Sequence, residues 1–515
     1  MREKRINYCL AAVTLLTMFV LAGFAVTPFT ADLKVFLASA HQATYIDSNL
    51  IVGGYKVWEL KGPFSRVFIY GIYKIAVLFA DYGGYSFEVC CKLLYAAFIF
   101  AVSFCTVNLL SEQDKKVRFI YIMLIAQGCM AVHTMCIMQA EMTVSLLLML
   151  SFALYANAVK TNKNAVIKLF AAGILIGSAF FFKSVLILMS VSVVAAIIIY
   201  NVQNGYKLSF KRMMIVVAGS VFIIAVNCGV IMAINPQEFR DMLDASHFQN
   251  TLLTKGLSVD TLTYAVSKFI SKIPEKIYLL PIVMAGAAAF ICNLLKNLFK
   301  GRWLLIFGHM VLWVMPTVFI MLSNKYFAYH LMVYLCPAMM EIYYAVKEKG
   351  LLGKIVVYAA ITVSVGLYMG YMSVASHNVK EYIRADQDSF RIRDEMLVKT
   401  EFEKDAEMMY LDDGLGAYYL PNESYLRYYF PLPLQRLADS DLECYVQTKR
   451  EALEYEGKYI SVYESWFFRE SNNDIKEKVE KEYEYIASYA RYSPSQNIFD
   501  DDFEAKEFML YQRKE

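Results

Sequence analysis

The sequence predicts a polytopic α-helical membrane protein of about 11 transmembrane helices that ends in a small α/β domain. Three observations carry this prediction. Of the 515 residues, 58% are hydrophobic and 19% charged, and a soluble chain of this length has no core large enough to hide so many apolar side chains. The 38 Tyr and 35 Phe suit broad belts at the membrane–water boundary, where amphipathic rings settle. Charge is also segregated. Residues 376–515 hold 31 acidic and 19 basic side chains, a balance of −12 against a whole-chain net of +3, so the remainder carries +15. A basic membrane part and an acidic tail argue against a nucleic-acid partner and for a protein oriented by its loop charges.

Apolar stretches long enough to cross lie near residues 8–28, 86–110, 118–138, 142–159, 166–182, 184–201 and 213–234, then near 278–295, 303–323, 331–346 and 354–374. A span takes about 20 residues, fewer with local thinning. Gly23-Phe24-Ala25 resembles a small-x-small cleavage site, but the surrounding apolar run is longer than a signal-peptide core, so a retained helix is expected. Loop charges orient the set. With Arg2, Lys4 and Arg5 inside, five later clusters also fall inside, in agreement with the positive-inside rule. They are Lys115, Lys116 and Arg118; Lys160, Lys163 and Lys168; Lys207, Lys211 and Arg212; Lys296, Lys300 and Arg302; and Lys347, Lys349 and Lys354. The stretch 64–80, interrupted by Arg66 and Lys74, would turn all of these outward if it crossed. It is expected on the outer surface as an amphipathic or re-entrant helix.

The expected division is therefore a membrane domain, 1–375, whose first outer loop is 29–85, and an extracytoplasmic α/β domain, 376–515. In that tail Met408 to Leu411, Tyr459 to Tyr463 and Phe508 to Tyr511 read as short strands. Ile475, Val479, Tyr483 and Ile486 fall at helical spacing between the last two. Nine of the ten cysteines lie in hydrophobic stretches and only Cys444 in the tail, which excludes a disulfide within the tail; no spacing suggests a metal cage.

Six ionisable residues fall at the outer mouth of this arrangement: Asp47, Lys61, Glu141, Lys183, Lys325 and His330. Each has a structural explanation. Asp47 can be a solvated loop residue or a helix cap, Lys183 a connector turn, and Glu141 the point where a helix leaves the interface. Lys325 and His330 can be interfacial anchors among Tyr326, Phe327 and Tyr329. The functional explanation rests on their coincidence. Ionisable groups at the edge of hydrocarbon are costly and tend to face a cavity, and two acids with several bases suit a site handling a hydroxyl and a phosphate.

The order of features resembles the GT-C superfamily of polyprenyl-phosphate-sugar-dependent glycosyltransferases, in the branch of protein mannosyltransferases and lipid A aminoarabinose transferases. The resemblance runs over roughly residues 8–375. It rests on Asp47-Ser48-Asn49, Gly53-Gly54-Tyr55 and Lys61-Gly62-Pro63 before a surface helix, all after the first span. Gln139-Ala140-Glu141 opening a span follows, then Gly173 to Gly177 with Phe181-Phe182-Lys183, then Lys325-Tyr326 with His330 and Pro337. One position departs from the pattern: many members carry a second acid directly after the loop aspartate, whereas Ser48 follows Asp47.

The resemblance implies a GT-C-like fold with outer-surface juxtamembrane helices, in a multi-pass protein of a bacterial plasma membrane with its N-terminus cytoplasmic. It implies a polyprenyl-phosphate-linked sugar as donor, and a glycan, lipid or protein hydroxyl as acceptor. Asp47 would be the general base, Glu141 would orient the acceptor or a cationic partner, and Lys61, Lys183, Lys325 and His330 would bind the donor phosphate. Inversion at the sugar carbon would follow, with a divalent metal optional. Two other classes share features with this one. A non-catalytic polyprenyl-lipid binding or transport protein would use the same cationic mouth without needing Asp47. A surface-polysaccharide polymerase or ligase would place arginine and histidine in a large late outer loop, and the late loops here are short.

Overall fold

The computed structural model describes residues 2–26, 29, 31–57, 59, 61–110, 115–131, 138–240, 281–323, 328–347, 387–412, 414–427, 443–463, 473–492 and 506–515, with isolated positions at 263, 267, 271, 359, 362 and 384. In chain order the helices are α1 (Arg2–Val26), α2 (Ala31–Ile46), α3 (Leu50–Lys56), α4 (Pro63–Ala76), α5 (Tyr85–Leu110), α6 (Lys115–Ala131) and α7 (Ala140–Thr161). They continue with α8 (Ala165–Phe182), α9 (Ile187–Gln203), α10 (Phe210–Ile234), α11 (Pro281–Phe299), α12 (Trp303–Ser323) and α13 (Leu335–Lys347). Among the described residues, eight helical segments are long and apolar enough to cross a membrane: Asn7–Val26, Tyr85–Leu110, Ala140–Thr161, Ala165–Phe182, Ser184–Gln203, Phe210–Ile234, Ile282–Phe299 and Trp303–Met321. The chain is a polytopic, mostly helical protein.

Three expected spans are not among these eight. The stretch 118–138 begins as α6, of 17 residues, and 132–137 lie outside the described residues. The stretch 331–346 is not one long helix. It is a 3-10 segment, Ala328–Tyr334, followed by α13 of 13 residues, about 20 Å of helix against a hydrocarbon core of about 30 Å. Pro337, the third residue of α13, has no N–H to offer the carbonyl of Val333 and is tolerated in a first helical turn, so it favours the start of a new helix here over one continuous helix. The stretch 354–374 lies outside the described residues apart from positions 359 and 362.

The chain forms two compact units. The first comprises Met1–Ala25, Tyr95–Gly229 and Leu253–Val374. Its central element is α7, apolar on all sides and buried on nearly all, from Ala140 to Val159. α7 and α8 form a hairpin whose turn puts Asn162 and Asn164 in left-handed backbone conformations. Small residues let the helices approach. A Cβ on Gly173 would lie 2.0 Å from the Val216 carbonyl oxygen, and one on Gly286 would lie 2.3 Å from the Ala338 Cβ. α8 therefore meets α10, and α11 meets α13, at near-backbone contact, as membrane helices do without a hydrophobic force between them.

The second unit comprises Val26–Leu94, Val230–Leu252 and Ala375–Glu515. Its sheet has the order β1-β2-β4-β3, with β1 (Met408–Leu411) parallel to β2 (Tyr459–Tyr463) and both β2 and β3 (Tyr483–Tyr492) antiparallel to β4 (Lys506–Arg513). The helix expected to reach residue 486 ends at Glu482. Ile475 and Val479 are buried in it, but Tyr483 and Ile486 belong to β3, where alternating Tyr residues favour a pleated strand. Pairing with β4 overrides the helical spacing, and the ladder is irregular between Tyr485 and Ala487, on either side of Ile486.

The first-loop helices share this unit with the tail. The Gln42 side-chain amide donates to the Asn422 carbonyl (2.8 Å) and accepts from the Ser424 N–H (2.9 Å). His41 meets the Tyr73 hydroxyl at 2.7 Å and the Pro421 carbonyl at 3.1 Å, stacked on Tyr82. Burial pushes its pKa down to about 4, so the imidazole is neutral at pH 7. Lys34 lies against Phe390, Tyr418 and Tyr419 and 3.6 Å from Glu88, which accepts from the Tyr418 hydroxyl at 2.8 Å. The predicted surface helix 64–80 is α4, strongly amphipathic and started by Pro63. The Gly53-Gly54 pair has a packing reason, since a Cβ on Gly54 would meet Val67 at 2.7 Å, so α3 lies directly on α4.

Candidate functional site

Three of the six expected site residues meet in the helical unit. Glu141 stands in the first turn of α7, where the helix dipole favours a negative charge, and Lys183 ends α8, where it favours a positive one. Lys183 has an extended backbone (φ −164°) that breaks the helix before the 3-10 turn Ser184–Leu186 leading into α9. Its ammonium donates to Glu141 Oε1 at 2.6 Å. His330 Nε2 lies 3.7 Å from the same oxygen. Phe319 joins them, with the Lys183 ammonium 5.5 Å from its ring centre and the His330 ring edge-on at 5.9 Å.

Burial decides the character of this cluster. Glu141 is 0% exposed, His330 3% and Lys183 9%. An ion pair this deep is a poor source of net stability, because desolvation offsets much of the Coulomb gain, yet removing one partner leaves a buried charge. The surroundings are fixed by hydrogen bonds. The Ser145 hydroxyl donates to the Met332 carbonyl (2.9 Å), tying α7 to the 3-10 segment that carries His330, and the Tyr95 hydroxyl meets Thr143 at 3.1 Å. The arrangement presents a cation held by a carboxylate with an imidazole beside it, which can take an anion such as a phosphate in exchange for part of the internal pairing.

Asp47 and Lys61 belong to the other unit. Asp47 follows α2, and its Oδ1 accepts the Asn49 N–H at 2.8 Å. Its backbone N–H donates to the Ala43 carbonyl (3.0 Å), and its carbonyl accepts the Tyr70 hydroxyl (3.2 Å). Asn49, not Asp47, caps α3, accepting from Ile51 and Val52. Asp47 is thus a half-buried carboxylate in an ordered turn. The Lys61 N–H donates to Glu59 (2.8 Å), and its ammonium lies 5.2 Å from the Phe36 ring centre. Lys325 lies outside the described residues. Among the described residues, no group of three or more His, Cys, Asp or Glu side chains is arranged to hold a metal ion.

Sequence reasoning missed two buried clusters. In the second unit, Arg66 pairs with Glu238 and donates to the Val57 carbonyl, while the Asn235 side chain donates to the Tyr55 carbonyl at 3.0 Å. In the sequence Arg66 marks only an interruption of an apolar stretch. In the helical unit, Glu341 on α13 accepts from Asn293 of α11 at 2.7 Å and lies 2.8 Å from His309 Nδ1 of α12. His309 and Glu341 are both 0% exposed. The available signal was an ionisable residue inside an apolar stretch, Arg66 in 64–80, His309 in 303–323 and Glu341 in 331–346, which is rare and costly in a membrane.

Comparison of the chain with family models, with curated proteins and with solved structures finds no match.

Proposed function

We propose that this protein is a membrane glycosyltransferase that moves a sugar from a polyprenyl-phosphate donor to an acceptor hydroxyl on the outer side of the membrane, with inversion. The observation that carries the proposal is the buried Glu141–Lys183–His330 cluster at the ends of α7 and α8. A lipid phosphate leaving the anomeric carbon is a stable anion and needs no general acid. It needs positive charge where its own charge develops. Lys183, kept in position by Glu141, provides that charge, and His330 adds a donor. The general base is assigned to Asp47 through the family resemblance: it takes the acceptor hydroxyl proton, the oxygen attacks the anomeric carbon, and the bond to the phosphate oxygen breaks. A well-placed base contributes about 10²–10⁴-fold.

The connectivity supports the topology behind this reading. Residues 55–66 and 235–238 contact each other within one unit, and a chain that returns to the same side crosses an even number of times. Between them lie five of the eight long apolar helices: α5, α7, α8, α9 and α10. This parity favours α6 as a sixth crossing, with about 25 Å of described helix. The same argument links the first loop to the tail through Gln42 and Asn422. It favours either both or neither of 331–346 and 354–374 as crossings, in keeping with the eleven spans of the charge-based count or with nine.

The test is incubation of the purified protein, in lipid, with labelled polyprenyl-phosphate sugars, following released lipid phosphate. Turnover is expected, and Asp47→Asn is expected to lose about 10²–10⁴-fold while inserting normally. Full activity in Asp47→Asn removes the base assignment. The buried Glu341–His309 pair favours a second reading, because ionisable pairs inside a membrane also mark transport pathways. Bidirectional lipid movement without any released lipid phosphate would select that reading.

A further inference from the structure

We infer that the turn joining α11 and α12 is a binding site for the phosphate of an anionic phospholipid. This inference does not depend on the glycosyltransferase reading. Three cations gather there, Lys296 in the last turn of α11, then Lys300 and Arg302 in the turn itself. The charges of Lys300 and Arg302 both act on Lys296. The turn has a defined shape: the Lys300 N–H donates to the Asn297 carbonyl (3.2 Å), the Gly301 N–H to Leu298 (3.0 Å) and the Arg302 N–H to Asn297 (3.0 Å). Gly301 takes the left-handed conformation (φ +63°) that makes this possible.

No Asp or Glu occurs between Glu275 and Glu341. Among the described residues, no carboxylate pairs with Lys300 or Arg302 in an ion pair. Arg302 also directly precedes α12, where the helix dipole disfavours a cation. An anion relieves all of these costs together.

The flanks of the turn identify the source of that anion. Phe299 is 85% exposed and Trp303 69%, and the turn joins two helices long and apolar enough to cross a membrane. Exposed aromatic rings beside cations at the end of such helices form the pattern of a headgroup boundary, with acyl chains against the rings and phosphate against the cations. The α7–α8 hairpin differs, because Lys168 there donates to Asn157 Oδ1 at 2.6 Å and is already engaged.

The experiment uses the full-length protein in nanodiscs of phosphatidylcholine containing a minor fraction of photoreactive phosphatidylglycerol, with adducts mapped by mass spectrometry. Adducts are expected to concentrate on the peptide spanning residues 296–307. Each cation near an anionic surface contributes roughly fivefold, so the triple variant K296Q/K300Q/R302Q should lose on the order of 100-fold of that labelling. The control K163Q/K168Q should keep it. Adducts spread evenly over all basic turns, equal loss in the control, or displacement of the lipid by inorganic phosphate would each overturn the inference. Should the triple variant fail to fold, the wild-type adduct map decides the question by itself.

Discussion

Glu141 and Glu341 are two carboxylates of the same helical unit, both completely buried and both beside a histidine, yet they are held in different ways. Glu141 faces an ammonium at 2.6 Å and stands at a helix N-terminus that favours its charge. Among the described residues, no Lys or Arg pairs with Glu341. An amide from α11 and an imidazole from α12 hold it between three helices. The difference separates two uses of buried charge. In the Glu141 cluster, Lys183 can turn part of its charge toward an incoming anion while Glu141 keeps it in place. In the Glu341 cluster, side chains from two helices point at a carboxylate on a third, and the arrangement joins the three helices.

The largest expected effect tests the first half of this comparison. Lys183→Ala should destabilise the helical unit by about 3–5 kcal/mol, because a fully buried Glu141 loses its cation. Thermal unfolding in nanodiscs measures this, and the double variant E141A/K183A should recover much of the loss. A double variant as unstable as the single one would show that the two side chains are not a coupled pair.

A third buried carboxylate tests whether hydrogen bonds alone can hold such a group. Asp412, in the tail, is 0% exposed and accepts from the N–H groups of Gly414 (2.7 Å) and Gly416 (3.2 Å) and from the Ser461 hydroxyl (2.9 Å). Burial raises its pKa from 3.8 to about 6, with these three hydrogen bonds opposing the rise. Because the folded value lies above the unfolded one, its stabilising contribution is complete below pH 3.8 and is lost as pH rises through about 6. The difference amounts to on the order of 3 kcal/mol. Asp412→Asn should flatten the pH dependence of unfolding across that window. An unchanged pH profile in the variant would show that Asp412 is not the group responsible.

The smallest effect sharpens the second half. Glu341→Gln keeps the shape and part of the hydrogen bonding, so it should cost about 1–3 kcal/mol and leave the release of lipid phosphate unchanged. Loss of turnover at normal stability would erase the distinction between the two carboxylates and favour a transport pathway through His309 and Glu341.

Much of the fold was legible because membrane burial is a local property. Each long apolar run of α1, α5 and α7 through α12 announces itself within its own residues, and β1, β2 and β4 do so through short apolar runs between polar ones. The strand β3 was not legible, because Tyr483 and Ile486 continue the helical spacing of Ile475 and Val479, and only pairing with β4 makes the segment a strand. Lys183 and Glu141 could be chosen from sequence as ionisable groups at span ends. Their contact could not, and neither could the Arg66–Glu238 and His309–Glu341 pairs.

By itself the sequence determined that this chain is a polytopic, mostly helical membrane protein with a polar tail, since hydrophobicity acts residue by residue along the chain. Only the tertiary structure decided which charges meet. Glu141 and Lys183 are 42 positions apart, and Gln42 and Asn422 are 380 apart. Pairing over such separations comes from helices and strands packing together, not from local preference. The same packing decided that the first-loop helices and the tail form one compact unit.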